Sequence, residues 1–155
     1  MSIIEVQHHM IIRRRAGKIF EYVADMRLDK YWRDEINDTT LDTDLPTLGS
    51  IATEDSKLSK RVPHHIAKLK CIIWQEGRQV VFETLPESTF YLKSVRELEN
   101  LPDTTTRLTY MIAFDSSVVK HGLGFGLPAF FLKFYTKLKM TQYMKKLKNI
   151  LESQP

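Results

Sequence analysis

The chain has 155 residues, of which 43% are hydrophobic and 27% charged, a balance that excludes a disordered polymer and predicts one domain, spanning residues 1–155, with a proper core. The net charge of +4 is a mild excess that says little alone about partners. A lone cysteine, Cys71, rules out an intramolecular disulfide and fits a reducing compartment, and no apolar run approaches the ~18 residues a membrane span needs.

Residues 4–12, IEVQHHMII, alternate with the period of a strand. Ile4, Val6, His8, Met10 and Ile12 share one face, and Glu5, Gln7, His9 and Ile11 the other. The basic residues Arg13, Arg14 and Arg15 follow this apolar stretch, the reverse of a secretory signal, so the expected location is the cytoplasm. In AGKIFEYVADM the period changes, with Ala16, Ile19, Phe20 and Val23 at helical spacing. A second short helical piece, RLDKYWRDE, carries Trp32. Six strand-like segments come next, at about 36–43, 50–59, 64–75, 78–85, 89–99 and 105–116, punctuated by Pro46, Gly49, Gly77, Pro86, Pro102 and Asp103. Strands joined by short turns, with no helix between them, predict an antiparallel meander. Residues 127–152 then read as one long helix, with Pro128 near the first turn, where proline is tolerated. The expected fold is therefore α+β, in the order β-α-α-β-β-β-β-β-β-α, with a curved antiparallel sheet around the C-terminal helix.

Alternation also predicts which side of each strand faces inward. Leu108, Tyr110, Ile112 and Phe114 form the larger, more apolar face of the last strand. Ala67, Leu69, Cys71 and Ile73 alternate with Lys68 and Lys70. Val80 and Phe82 are preferred over Val81 and Leu85. Phe90, Leu92, Ser94, Arg96 and Leu98 share a face, which carries a serine and an arginine inward. On the long helix, Leu127, Phe130, Phe131, Phe134, Leu138 and Thr141 occupy one sector. Met140, Met144, Leu147 and Leu151 lie about a third of a turn away. Burying both sectors would require the helix to wrap a twisted sheet or to bend near residues 138–141. The aromatic run in HGLGFGLPAFFLKFYTKLKM thus has three readings: core, membrane contact, or one wall of a ligand cavity.

IIRRRAGKIFEYVADMRLDKYW resembles the N-terminal signature of the polyketide cyclase/dehydrase-like branch of the START/Bet v 1 (helix-grip, SRPBCC) superfamily, on Ile12, Ala16, Ile19, Phe20, Val23, Asp25 and Trp32. LPTLGS resembles its proline-glycine turn, and Thr106, Arg107, Leu108 and Thr109 match its GTRLT strand. Gly17 stands where the pattern has proline and Thr105 where it has glycine, both turn positions. The resemblance covers essentially the whole chain. It implies an incomplete barrel gripping the C-terminal helix, with a cavity between them. The rings of GLPAFFLKFY would form one wall, and GLGFG the loop at its mouth.

The paired histidines His8-His9 and His64-His65 point to opposite faces of a strand, so each pair offers at most one ligand, and no zinc spacing is present. No metal site is expected. GLGFG is neither a dinucleotide fingerprint nor a phosphate loop, and it follows a strand of a meander, so no cofactor is expected. Cys71, among apolar neighbours, is not expected to be reactive. Arg96, Tyr110 and Ser94 would face the cavity, where a guanidinium and a phenol could anchor a ligand's carboxylate or carbonyl, or act on an enolate. Glu83 could pair with Arg96.

The favoured reading is a binder of a hydrophobic or amphipathic small molecule of lipid, isoprenoid or polyketide type. The expected cavity residues are Trp32, Phe82, Phe90, Leu92, Ser94, Arg96, Leu108, Tyr110, Ile112, Phe114, Leu127, Phe130, Phe131, Phe134 and Leu138. Two alternatives are a cyclase/dehydrase-type enzyme using Tyr110 and Arg96, and a quinone- or ribosome-associated module that binds a partner through its lysine-rich helix. The basic run there reads first as a solvated helix face, with no specific nucleic-acid partner. A weak peripheral membrane contact stays open, as do monomer and homodimer.

Overall fold

A computed structural model describes residues 2–155. Seven strands form one antiparallel sheet in the spatial order β1-β7-β6-β5-β4-β3-β2. They are β1 (Ile3–Ile12), β2 (Ile36–Leu41), β3 (Ile51–Ser56), β4 (His65–Gln75), β5 (Gln79–Thr84), β6 (Leu92–Leu101) and β7 (Thr105–Asp115). Strands β2 to β7 follow one another as a meander, and β1 closes the far edge on β7, pairing Ile4 with Phe114 and Ile12 with Thr106. Helix α1 (Ala16–Val23) and a 3₁₀ turn (Met26–Tyr31) link β1 to β2. A short α2 (Ser117–Leu123) precedes the long α3 (Ala129–Ser153). This is the element order that alternation and helical spacing predict, with α2 added.

The core lies between the concave face of the sheet and α1, the 3₁₀ turn and α3. Ile4, Ile12, Leu69, Val80, Phe82 and Leu108 meet Ile19, Phe20, Trp32, Met144, Leu147 and Leu151 there. Each such side chain contributes about 1.5–3 kcal/mol by leaving water. The inward faces of β5, β6 and β7 follow the predicted alternation: Val80 with Phe82, Leu92 with Ser94, Arg96 and Leu98, and Leu108 with Tyr110, Ile112 and Phe114.

Three expectations are corrected. In β4 the register shifts between Cys71 and Ile73. A bulge of this kind turns the following residue to the other face, so Ile73 is exposed and Trp74 packs edge-on against Phe20 at 5.0 Å. The strand expected at 89–99 begins only at Leu92, which leaves Phe90 on the β5–β6 connection. On α3, only the methionine-leucine sector with Leu132 faces the sheet. Leu127, Phe130, Phe131, Phe134 and Leu138 are exposed, Phe130 at 66% and Phe134 at 72%. One sector suffices to cover the sheet, so the helix runs unbroken from Ala129 to Ser153.

Gly124 ends α2 at φ +86°, a left-handed conformation that favours glycine. Ser59 Oγ donates to the Gly122 carbonyl at 2.6 Å, which holds α2 beside the β3–β4 connection.

Candidate functional site

Two arginines and three carboxylates organise the interior next to the sheet. Asp29 sits on the 3₁₀ turn, fully buried. Arg96, projecting inward from β6, grips it with two parallel hydrogen bonds, Nη1 to Oδ1 at 2.8 Å and Nη2 to Oδ2 at 2.6 Å. Arg96 also donates to the Val23 carbonyl at 2.7 Å and to Ser94 Oγ at 3.2 Å. Its guanidinium lies over the rings of Trp32, Tyr110 and Phe82, at 5.1, 5.5 and 5.9 Å from their centroids. This arginine is a clamp that ties α1 and the 3₁₀ turn to the sheet. It does not line the cavity, and its carboxylate partner is Asp29. Glu83 instead accepts from the Tyr91 hydroxyl at 2.9 Å.

Arg33, one helical turn beyond Asp29, carries the network outward. Its Nη1 donates to Asp29 Oδ2 at 2.9 Å and to Glu54 Oε2 at 3.1 Å, and its Nη2 to Glu35 Oε1 at 2.9 Å. Two guanidiniums thus face three carboxylates, leaving one negative charge in excess when all are ionised. Glu54 answers for that excess. Burial pushes its pKa up, Arg33 opposes, and Asp29 and Glu35 add to the rise. Burial likewise raises the Tyr110 phenol, against Arg33 and Arg96. Burial also raises the Tyr143 phenol, with the nearby Glu35 carboxylate adding to it.

This polar cluster closes the buried end of a cavity of about 510 Å³. Arg33, Glu35, Glu54, Tyr110 and Tyr143 line that end. Ala67, Phe90, Leu92, Ile112, Phe114, Val118 and Met140 form the apolar walls, and the exposed Lys57 and Tyr135, with Lys139, stand at the solvent end. His65 lines one side, its ring 5.8 Å from Phe90 and 6.1 Å from His121. Burial and then His121 lower its pKa, which favours the neutral imidazole. Among the described residues no three His, Cys, Asp or Glu side chains are grouped to hold a metal ion. Burial raises the Cys71 thiol, which leaves it protonated.

Of the residues expected at a cavity, Phe90, Leu92, Tyr110, Ile112 and Phe114 line this one. Trp32, Phe82, Ser94, Arg96 and Leu108 lie buried outside its lining, and Leu127, Phe130, Phe131, Phe134 and Leu138 face solvent. Sequence reasoning missed Arg33, Glu54 and Tyr143. Alternation in IATEDS does put Glu54 on the face of Ala52 and Ser56, and Asp29 and Arg33 stand at i, i+4, an ion-pair spacing. Both signals were present in the sequence.

No protein-family model matches the sequence, and no curated protein does. Among solved structures, the chain is similar to a START superfamily protein from Mycobacterium smegmatis, with a TM-score of 0.74 and 14% identity over 96% of this chain and 97% of that one. It is also similar to the Zhui aromatase/cyclase from Streptomyces sp. R1128, with a TM-score of 0.72 and 12% identity over 97% and 94% of the two chains. A third similar structure is the di-domain aromatase/cyclase BexL from the BE-7585A biosynthetic pathway. There the TM-score is 0.68 and the identity 13%, over 99% of this chain and 51% of that one. The fold is the START-like helix grip that polyketide aromatase/cyclases also use.

Proposed function

We propose that this START-like helix-grip chain binds a small, largely apolar molecule, with a hydrogen-bond donor of that molecule directed at Glu54 and Tyr110. The observation that carries this reading is the cavity itself. Its volume lies in the range of ligand sites, and apolar walls run between the buried polar cluster and the lysines at the solvent end. The surplus carboxylate selects the class of ligand. A hydroxyl or amine meets an acceptor at Glu54, whereas a ligand carboxylate finds no free guanidinium at that end, since Arg33 and Arg96 are already paired. This reverses the acid-binding role that sequence analysis expects of Arg96, whose charge is spent on Asp29.

Binding of N-phenyl-1-naphthylamine, followed by fluorescence, tests this. The wild type should bind it, and 2-naphthol should displace it better than 2-naphthoate. Ile112→Trp should fill the cavity and abolish binding with little change in stability, while Phe134→Trp should bind as the wild type does. A wild type that binds no probe, with Ile112→Trp destabilised by about 1–3 kcal/mol as in an overpacked core, would mean that the space takes no ligand.

One observation favours a second reading, an enzyme of cyclase or dehydrase type. Glu54, 3% exposed, presents a carboxyl group with a raised pKa to the same cavity that the Tyr110 phenol lines, and both are groups able to move a proton. A binder returns its ligand chemically unchanged after incubation, and mass spectrometry of the released molecule separates the two.

A further inference from the structure

The rings that sequence analysis assigns to a cavity wall stand in solvent instead, and their arrangement points to a partner. Along α3, Phe130, Phe131, Phe134, Tyr135 and Leu138 all expose about half of their surface or more. At roughly 100° per residue they fall within about 140° of one another, on the side opposite the buried stripe of Leu132, Met140 and Leu147. Lys133 and Lys137 border one edge of this ridge and Lys139 the other. Phe125, on the connection into α3, is exposed as well. A hydrophobic face of this kind, held in water, marks an interaction surface.

We infer that this ridge docks onto a lipid surface rich in anionic headgroups. Between residues 116 and 151 the chain carries seven lysines and no aspartate or glutamate. Cations flanking exposed rings are what an interfacial helix needs: rings enter the acyl boundary, and lysines stay among the phosphates. A second copy of the chain fits less well, because a two-fold contact through the ridge would bring lysines against lysines. A single-stranded nucleic acid fits less well too. The Phe130 and Phe131 rings sit 4.1 Å apart, against each other, and leave no gap for a base between them. Tyr135 belongs both to the ridge and to the solvent end of the cavity, so docking would bring that opening to the bilayer.

Flotation of the full chain with vesicles, without any cavity probe, tests the inference independently of ligand binding. The wild type should float with phosphatidylcholine vesicles containing phosphatidylglycerol and not with phosphatidylcholine alone. Added salt should weaken the association, since it screens charges within about 10 Å at 0.1 M. Phe130→Ser with Phe134→Ser should lower partitioning about tenfold per ring while keeping the circular dichroism and unfolding midpoint of the wild type, which report an intact fold. Lys133→Glu with Lys137→Glu should sharply reduce the preference for phosphatidylglycerol. The inference is overturned by a wild type that stays with neither vesicle, or by ring variants that float as the wild type does. It is overturned equally if light scattering shows a dimer that the ring variants make monomeric, or if single-stranded RNA binds more tightly than the vesicles.

Discussion

Asp29 and Arg96 have 0% and 1% of their surfaces in water, and taking such charges out of solvent costs several kcal/mol per ion unless the partner's geometry is close to ideal. Here it is close to ideal, with two parallel hydrogen bonds, a carbonyl and a hydroxyl around one guanidinium. Removing one charge strands the other. Asp29→Asn should cost about 3–5 kcal/mol in urea unfolding, whereas Asp29→Asn combined with Arg96→Met should cost less than the sum of the two single changes by about 0.5–3 kcal/mol. Additive losses would show that the pair does not act as a unit. At this scale alternation read half of the arrangement. It put Arg96 on the inward face of β6, but its partner lies 67 residues away in sequence, and a short-range pattern carries no information about that pairing.

On α3 two apolar sectors compete in the sequence for one sheet. Met140, Met144, Leu147 and Leu151 repeat at spacings of three and four and are buried, while the rings about a third of a turn away are not. Leu147→Ala should therefore destabilise by about 2–5 kcal/mol, and Phe134→Ala should stay within about 0.5 kcal/mol of the wild type, both read from thermal or urea unfolding. Equal losses would mean that the ridge is packed in solution. Helical spacing identifies amphipathic sectors but not which of two apolar ones meets the sheet. Strand β4 shows a related limit. The bulge after Cys71 inverts the facing of Ile73 and Trp74, and no residue in HIAKLKCIIWQ announces it, because the bulge is set by pairing with β5.

Across the whole molecule the surplus of buried carboxylates should appear in the pH dependence of stability. The folded chain holds the Glu54 proton more tightly than the unfolded chain, because burial raises its pKa. Between the ordinary carboxylate value and that raised value, the folded state keeps a proton that the unfolded state has released, so stability falls as pH rises. Below the ordinary value this contribution is fully present. Urea midpoints measured from about pH 4 to 7 should fall with pH more steeply in the wild type than in Glu54→Gln, which has no proton to lose. Asp38 and Asp55, held low mainly by hydrogen bonds from Lys30 and Asn37, act in the opposite sense and below the ordinary value, and they are common to both proteins. Parallel profiles would mean that Glu54 is ionised at no cost.

Element types, their order and most inward faces were legible in the amino-acid sequence alone, because strand and helix periods are local and the larger apolar side chains of β6 and β7 recur at every second position. Five cavity residues could be named on that basis, all of them at the turn before β6, on β6 or on β7. The tertiary structure alone decided that Arg96 serves Asp29, that Glu54 is buried against Arg33, and that the rings of α3 face water. Each of these depends on which distant surfaces meet, and burial is a property of that meeting rather than of the residue.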